Sequence, residues 1–318
     1  MLKEMLHQMF ILGTGDLTTA LNDGLGGVIF FSKDIKSENE FKNIIKNINK
    51  QSKIPPFLSI DQEGGRVERT ENIYPKRLSA KQAYIKGEIY LKKQTRELAQ
   101  ELKEFGINLN FAPCIDVNTN PSNPIIGERS FSNKTDEVVK GGLITSNIYK
   151  EFNIIPCIKH YPGHGNANAD SHLTLPRIDL PLKEMETYHI KPFKELIQNG
   201  ADMVMVAHLH CTCFDKEIIP TSLSKNSINY LRNTLNFDGV IISDDMVMQG
   251  IQYEPVEACL MGIQAGLNMF IYREANQQTR DIINTIYNLA LNDNELQTKI
   301  KNSYQKIIHL KKKYKIVK

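Results

Sequence analysis

Eighteen residues from Lys159 to Pro176, KHYPGHGNANADSHLTLP, hold three of the chain's eight histidines. Asp170 and His172 stand two apart within it. In extended backbone, residues i and i+2 project to the same side, so the carboxylate and the imidazole can meet while Ser171 points away. A carboxylate beside an imidazole stabilises the imidazolium and raises its pKa above about 6.5. His172 is then a proton donor near neutral pH, aimed through its other ring nitrogen by Asp170. Taken alone, D-x-H is more often a loop histidine hydrogen-bonded for structure. The preceding YPGHGN, 161–166, is glycine-permitted irregular backbone, suited to a loop that moves over a site.

A second candidate is the pair Asp244 and Asp245, where GVIISDDMVM leaves an apolar run. If the strand persists, the two carboxylates project oppositely and one at most faces inward. A positioned carboxylate can attack an electrophilic carbon and form a covalent intermediate. As a bare tripeptide, SDD is more often a helix N-cap. Arg129 in IGERSFS, 126–132, offers a bidentate partner for hydroxyls or a carboxylate. Other apolar runs also end in charge: Asp61 closes one, Lys159 and His160 another, and His208 a third. Several such ends on one face of a fold mark a site more than a set of solvated termini.

The elements that must position these groups are legible as apolar runs at 8–13, 26–31, 56–61, 108–113, 155–160, 202–208, 239–244 and 268–272. They are near-continuously apolar, the pattern of parallel strands covered on both faces. Helix-like stretches lie between most of them. One opens with Ser37 and Glu40 in capping-box spacing, and RELAQELKEFG ends on Gly106, placed as a C′ glycine. The expectation is an α/β fold, a single-domain (β/α)8 barrel over about 8–273 with two further helices at about 274–292 and 293–315. A doubly wound open sheet is the alternative; no G-x-G-x-x-G follows a first strand to support its dinucleotide-binding form.

Bulk properties narrow the class. Lys and Arg total 39 against 36 Asp and Glu, a net charge of +3, which gives no electrostatic case for a nucleic-acid partner. The basic run KKKYKIVK at 311–318 reads as a solvated tail. No apolar run approaches the ~20 residues needed to span a bilayer, and MLKEMLHQMF lacks the core of a signal peptide. Five scattered cysteines suit reduced thiols in a cytoplasm. A monomer acting on a small carbohydrate, with no membrane partner and no cofactor, is expected.

Together DQEGGRVER (61–69), NFAPCIDV (110–117), IGERSFS (126–132), the 159–176 loop and VIISDDMVM (240–248) resemble glycoside hydrolase family 3. Within it, they are most similar to the single-domain β-N-acetylglucosaminidases of peptidoglycan recycling. The resemblance implies removal of a terminal β-linked N-acetylglucosamine from muropeptides or anhydromuramic acid conjugates by a retaining double displacement. It places the nucleophile on Asp244, the acid/base on His172 and its paired aspartate on Asp170. Sugar-binding positions fall on Asp61, Arg69, Arg129, Lys159 and His160. Tyr161 stands where Phe is usual, and Asn166 where Asp commonly follows GHG.

Most retaining glycosidases use two carboxylates. A neutral imidazole base repels an anionic acceptor less, so phosphate competes with water and phosphorolysis is an alternative outcome. Two further alternatives are a catalytically silent sugar-binding protein and a metal-dependent hydrolase. The latter would draw on His160, His164, His172, His208, His210 and Asp244, with the ligand-like HLHCTC at 208–213. No HExxH or paired CxxC supports a metal.

Overall fold

The computed structural model describes residues 1–167 and 175–318. Its strands are β1 Phe10–Gly13, β2 Gly27–Phe30, β3 Phe57–Ile60, β4 Leu109–Asn110, β5 Ile155–Tyr161, β6 Arg177–Ile178, β7 Met203–Val206, β8 His210–Cys211, β9 Val240–Asp245 and β10 Met269–Tyr272. Eight of them close a barrel in the order β1-β10-β9-β7-β5-β4-β3-β2, and every pairing around the ring is parallel. Helices flank the ring, giving the (β/α)8 architecture; each of the eight apolar runs becomes a barrel strand. The runs are continuous because one face of each strand fills the barrel and the other meets the helix layer, leaving no alternation to see.

Chemistry at the helix ends follows the sequence. Ser37 Oγ accepts from Glu40 N at 3.3 Å at the start of the helix Glu38–Gln51. The helix Glu88–Phe105 stops on Gly106, whose φ of 84° is the left-handed conformation that glycine adopts without a Cβ penalty. The C-terminal helices run Gln277–Ala290 and Asn294–Lys313, slightly inside the expected bounds.

One expectation is overturned. The basic 311–318 segment is not simply a solvated tail, because Lys311 is fully buried. In the last helix, Leu296, Ile300, Ser303, Ile307, Leu310 and Lys311 are buried, the spacing of one helical face. Each aliphatic member contributes about 1.5–3 kcal/mol on burial. Lys311 Nζ donates to Gln8 Oε1 at 2.8 Å and to the Pro55 carbonyl at 2.9 Å, and lies 4.9 Å from the Phe57 ring centroid. Gln8 and Pro55 precede β1 and β3, so this lysine ties the last helix to the barrel floor, opposite the strand C-termini. Burial without a carboxylate pushes its ammonium well below the ordinary lysine range.

A two-stranded parallel sheet pairs β6 with β8, Arg177 opposite His210 and Ile178 opposite Cys211. No helix of the described residues is long and apolar enough to cross a membrane.

Candidate active site

All the parallel strands point their C-termini at one mouth, and the charged strand ends gather there. Asp61 immediately follows β3; Lys159 and His160 belong to the end of β5; His208 lies two residues past β7; Asp244 and Asp245 end β9. Adjacent strand residues ordinarily face opposite ways. The β5–β7 register shifts between Ile158 and Tyr161, however, and the neighbours Lys159 and His160 both enter the polar network.

The centre of that network is Glu63, which the sequence reading did not single out. Its carboxylate takes Arg129 in a bidentate pair, Nε to Oε2 at 2.9 Å and Nη2 to Oε1 at 2.8 Å. Lys159 Nζ lies 2.6 Å from Glu63 Oε1 and 2.6 Å from Asp61 Oδ1. Glu63 occupies this position because the chain reverses directly after it. Gly64 has φ 91°, and a Cβ there would meet the Leu78 carbonyl oxygen at 2.4 Å. Burial raises the Glu63 carboxyl, but the charges of Arg129 and Lys159 outweigh it and hold the group well below the usual carboxylate range. Burial likewise works against the Lys159 charge, and Asp61 and Glu63 overcome it, so the ammonium is held above its ordinary range. The side chain of Asp61 is 18% exposed against 2% for Lys159, and Asp61 Oδ2 accepts no hydrogen bond among the described residues. A ligand entering the mouth therefore meets a carboxylate oxygen backed by a buried cation.

Asp116 organises the second half, and it too went unremarked in the sequence. His160 Nδ1 donates to Asp116 Oδ2 at 2.7 Å, His160 N to the same oxygen at 3.1 Å, and His164 N to Oδ1 at 2.5 Å. Arg129 Nη2 donates to His160 Nε2 at 3.2 Å, so both ring nitrogens of His160 are engaged. Burial raises Asp116, but His160 and His164 outweigh it and its carboxyl ends well below the usual range. The YPGHGN backbone packs tightly on this carboxylate's own loop: a Cβ on Gly165 would stand 1.8 Å from the Val117 carbonyl oxygen. Burial lowers His164 to about 4. The two departures from the family pattern sit quietly, with Tyr161 OH donating to the Ser227 carbonyl at 3.2 Å and Asn166 Nδ2 to Thr119 Oγ1 at 3.2 Å.

Asp244 and Asp245 divide as the alternation requires. Asp245 turns to Arg273, with which it forms an ion pair, and accepts from Val247 N at 3.2 Å. Asp244 Oδ1 accepts the Asp245 N–H at 2.8 Å, and its other oxygen has no partner among the described residues. No helix follows directly, so the pair is not an N-cap. Burial pushes the Asp244 carboxyl up, but His160, His208, the Asp245 N–H and Lys159 outweigh it, and the group is held below its ordinary value. An ionised carboxylate with one oxygen unpartnered among the described residues, half-buried at a strand end, is equipped to be a nucleophile. His208 is fixed between Ser222 Oγ at 2.8 Å on Nδ1 and the Asp245 carbonyl at 3.2 Å on Nε2. Donation to that carbonyl puts the proton on Nε2, and burial lowers its pKa.

Asp61, Arg129, Lys159, His160 and Asp244 thus share one neighbourhood: Lys159 pairs with Asp61, Arg129 with His160, and Glu63 bridges the two pairs. Arg69 stands apart: its guanidinium lies 5.7 Å from the Phe31 ring centroid, and its buried Nε has no hydrogen-bond partner among the described residues. Asp170 and His172 lie outside the described residues. The metal-ligand set His160, His164, His208, His210 and Asp244 does not converge as a cluster among the described residues. The cluster with ligand spacing is Cys114, Asp116 and His160, whose donor atoms lie within 4.8 Å of one another. The Cys114 thiol donates to Asp116 Oδ2 at 3.2 Å, and the Arg129 guanidinium already supplies a cation on His160.

A parallel barrel that gathers Asp61, Lys159, His160 and Asp244 at the C-terminal ends of its strands places its polar groups where barrel enzymes carry their active sites. The sequence profile described as "Glycosyl hydrolase family 3 N terminal domain" matches residues 5–310. The chain belongs to glycosyl hydrolase family 3. It is 33% identical over 282 residues to beta-hexosaminidase A of Pseudoalteromonas piscicida, covering 81% of this chain and 47% of that one. It is 34% identical over 258 residues to a beta-hexosaminidase of Actinobacillus pleuropneumoniae, covering 78% of this chain and 73% of that one. Among solved structures, a glycoside hydrolase family 3 beta-N-acetylglucosaminidase from Paenibacillus sp. superposes with a TM-score of 0.93 at 27% identity. That superposition covers 99% of this chain and 63% of that one. LpqI of M. tuberculosis superposes with a TM-score of 0.89 at 26% identity, covering 97% and 93%. The chain thus spans about half the length of the Pseudoalteromonas relative.

Proposed function

We propose that this protein is an exo-acting, retaining β-N-acetylglucosaminidase that removes terminal β-linked N-acetylglucosamine from muropeptides and anhydromuramic acid conjugates in cell-wall recycling. The observation that carries the reading is Asp244: ionised, anchored through one oxygen by its neighbour's N–H, with no partner on the other among the described residues. In the first step Asp244 attacks the anomeric carbon while His172, protonated and aimed by Asp170, gives its proton to the leaving oxygen. In the second, water attacks the glycosyl-aspartate and His172 takes the water's proton.

Asp61, backed by Lys159, holds sugar hydroxyls, with Arg129, His160 and Arg69 as further sugar-binding positions. These contacts accelerate the reaction to the extent that they strengthen as the ring flattens toward an oxocarbenium-like state. Glu63 and Asp116 are positioning residues: they fix Lys159, Arg129 and His160 and touch no substrate. The chain acts as one barrel domain, a monomer in the cytoplasm, a reading in keeping with five cysteines that are all free thiols. The names of the relatives support N-acetylhexosamine as the sugar.

The test is release of 4-nitrophenol from its β-N-acetylglucosaminide, with the β-glucoside alongside. Cleavage of the first and not the second is expected. Cleavage of neither by folded protein, or of the glucoside alone, overturns the reading.

A further inference from the structure

The Cys-Thr-Cys end of the HLHCTC segment takes no part in the chemistry above, yet it holds a chemically distinctive pair. Cys211 closes β8, and the chain turns at once, Phe214 N donating to the Cys211 carbonyl at 3.0 Å and Asp215 N at 3.3 Å. That turn brings Cys213 back over Cys211, and the two sulfurs lie 3.3 Å apart. A disulfide needs about 2.05 Å, so a displacement of little more than an ångström within a surface turn closes the bond. Cys211 is buried and Cys213 is partly exposed, so an incoming reagent meets Cys213 first.

The remaining thiols offer nothing comparable. Cys114, Cys157 and Cys259 are buried, and burial raises all three, Cys259 to about 12. The hydrogen bond from Cys211 instead lowers Cys213, so thiolate character and access coincide at one sulfur.

The residue between the two cysteines ties the pair to the rest of the mouth. Thr212 N donates to the Ile178 carbonyl at 3.1 Å, Thr212 Oγ1 reaches the same oxygen at 3.3 Å, and His210 N donates to the Pro176 carbonyl at 2.7 Å. These bonds clamp β6, which begins three residues after Thr174 in the stretch that follows Asp170 and His172.

We propose that Cys211 and Cys213 are a modification site, forming a reversible disulfide with a low-molecular-weight disulfide as oxidant and thereby loosening the Thr212 clamp on β6. The Cys213 thiolate attacks one sulfur of the reagent, breaking its S–S bond and expelling one thiolate. The Cys211 sulfur then attacks Cys213 Sγ, expelling the second reagent thiolate, which carries off the Cys211 proton. The net change is one reagent disulfide reduced to two thiols and one protein dithiol oxidised.

The experiment treats the whole native protein with oxidised glutathione and follows it by intact mass, peptide mapping and amide exchange. The expected result is loss of two hydrogens, a bond mapped to the peptide holding Cys211 and Cys213, and several-fold faster exchange at the His210 and Thr212 amides. Dithiothreitol should reverse all of it, and Cys213→Ser should show none of it. Should Cys211→Ser fail to fold, the more exposed Cys213→Ser alone carries the control. A stable glutathione adduct, modification at Cys114, Cys157 or Cys259 instead, or a mapped disulfide with unchanged exchange overturns the proposal. None of these readouts depends on glycosidase activity, so the two readings fail separately. If the glycosidase reading holds, turnover falls with oxidation in the wild type and not in Cys213→Ser.

Discussion

Replacing Glu63 with Ala removes a carboxylate that the buried Lys159 and the largely buried Arg129 share, and the consequence can be worked from the contacts. At 2.6 Å, an ammonium–carboxylate pair at an effective dielectric of 20 is worth about 6 kcal/mol, and the bidentate arginine a similar amount. These attractions offset desolvation penalties of several kcal/mol for each ion. Removing Glu63 abolishes the attraction but leaves Lys159 buried and Arg129 largely so, with Asp61, His160 and the Ile125 carbonyl as their remaining partners among the described residues. Breaking a buried pair in this way costs about 3–5 kcal/mol. That is a large part of the roughly 5–15 kcal/mol that stabilises a typical folded domain. Glu63→Gln keeps an acceptor of the same shape and should cost less, about 1.5–3 kcal/mol, the worth of hydrogen bonds to charged groups. The chain has no Trp, so far-UV circular dichroism through a urea titration is the suitable assay. A Glu63→Ala midpoint equivalent to less than about 1 kcal/mol would refute the claim that this carboxylate neutralises buried charge.

Other outcomes follow from the same arrangement. His172→Ala should reduce turnover least with a nitrophenolate leaving group, which departs without a proton, and most with a sugar aglycone; equal losses would remove His172 as the acid. Lys311 has a folded pKa below its unfolded value, so the unfolded state binds more protons between the two, and stability rises with pH across that interval. Urea unfolding of wild type and Lys311→Met from about pH 7 to pH 10 should show the wild type gaining relative to the variant as pH rises. A difference that stays constant or shrinks contradicts a buried neutral lysine. Glu63 and Asp116 have folded pKa values below their unfolded ones, so their stabilisation is present above about pH 4 and is lost as pH falls further. Glu63→Gln should therefore show a shallower acid unfolding transition than the wild type.

The barrel was legible because its strands are sandwiched, which leaves eight apolar runs with no competing pattern. Asp61, Lys159 and Asp244 were legible for a related reason, since a charge that ends such a run contradicts its surroundings. Glu63 and Asp116 carried no such contrast. Glu63 sits in a polar loop among other charges, and Asp116 follows a strand with only two paired residues, Leu109 and Asn110. Their importance comes from which distant cations fold onto them. β6 and β8 are two residues each, too short for any periodicity to register. Lys311 was misread because a run of lysines is ordinarily solvated. Its place four residues after Ile307 on the apolar face of the last helix was the available signal.

If Asp244 is the nucleophile, it becomes covalently attached to the sugar during turnover. A fluorinated N-acetylglucosaminyl substrate that forms the glycosyl-enzyme quickly and releases it slowly tests this directly, with peptide mass spectrometry of the quenched protein. One added sugar is expected on the peptide spanning 240–248, localised to Asp244 and absent from Asp244→Asn. A sugar on another residue, or steady release of the leaving group with no labelled protein at any time, would contradict it.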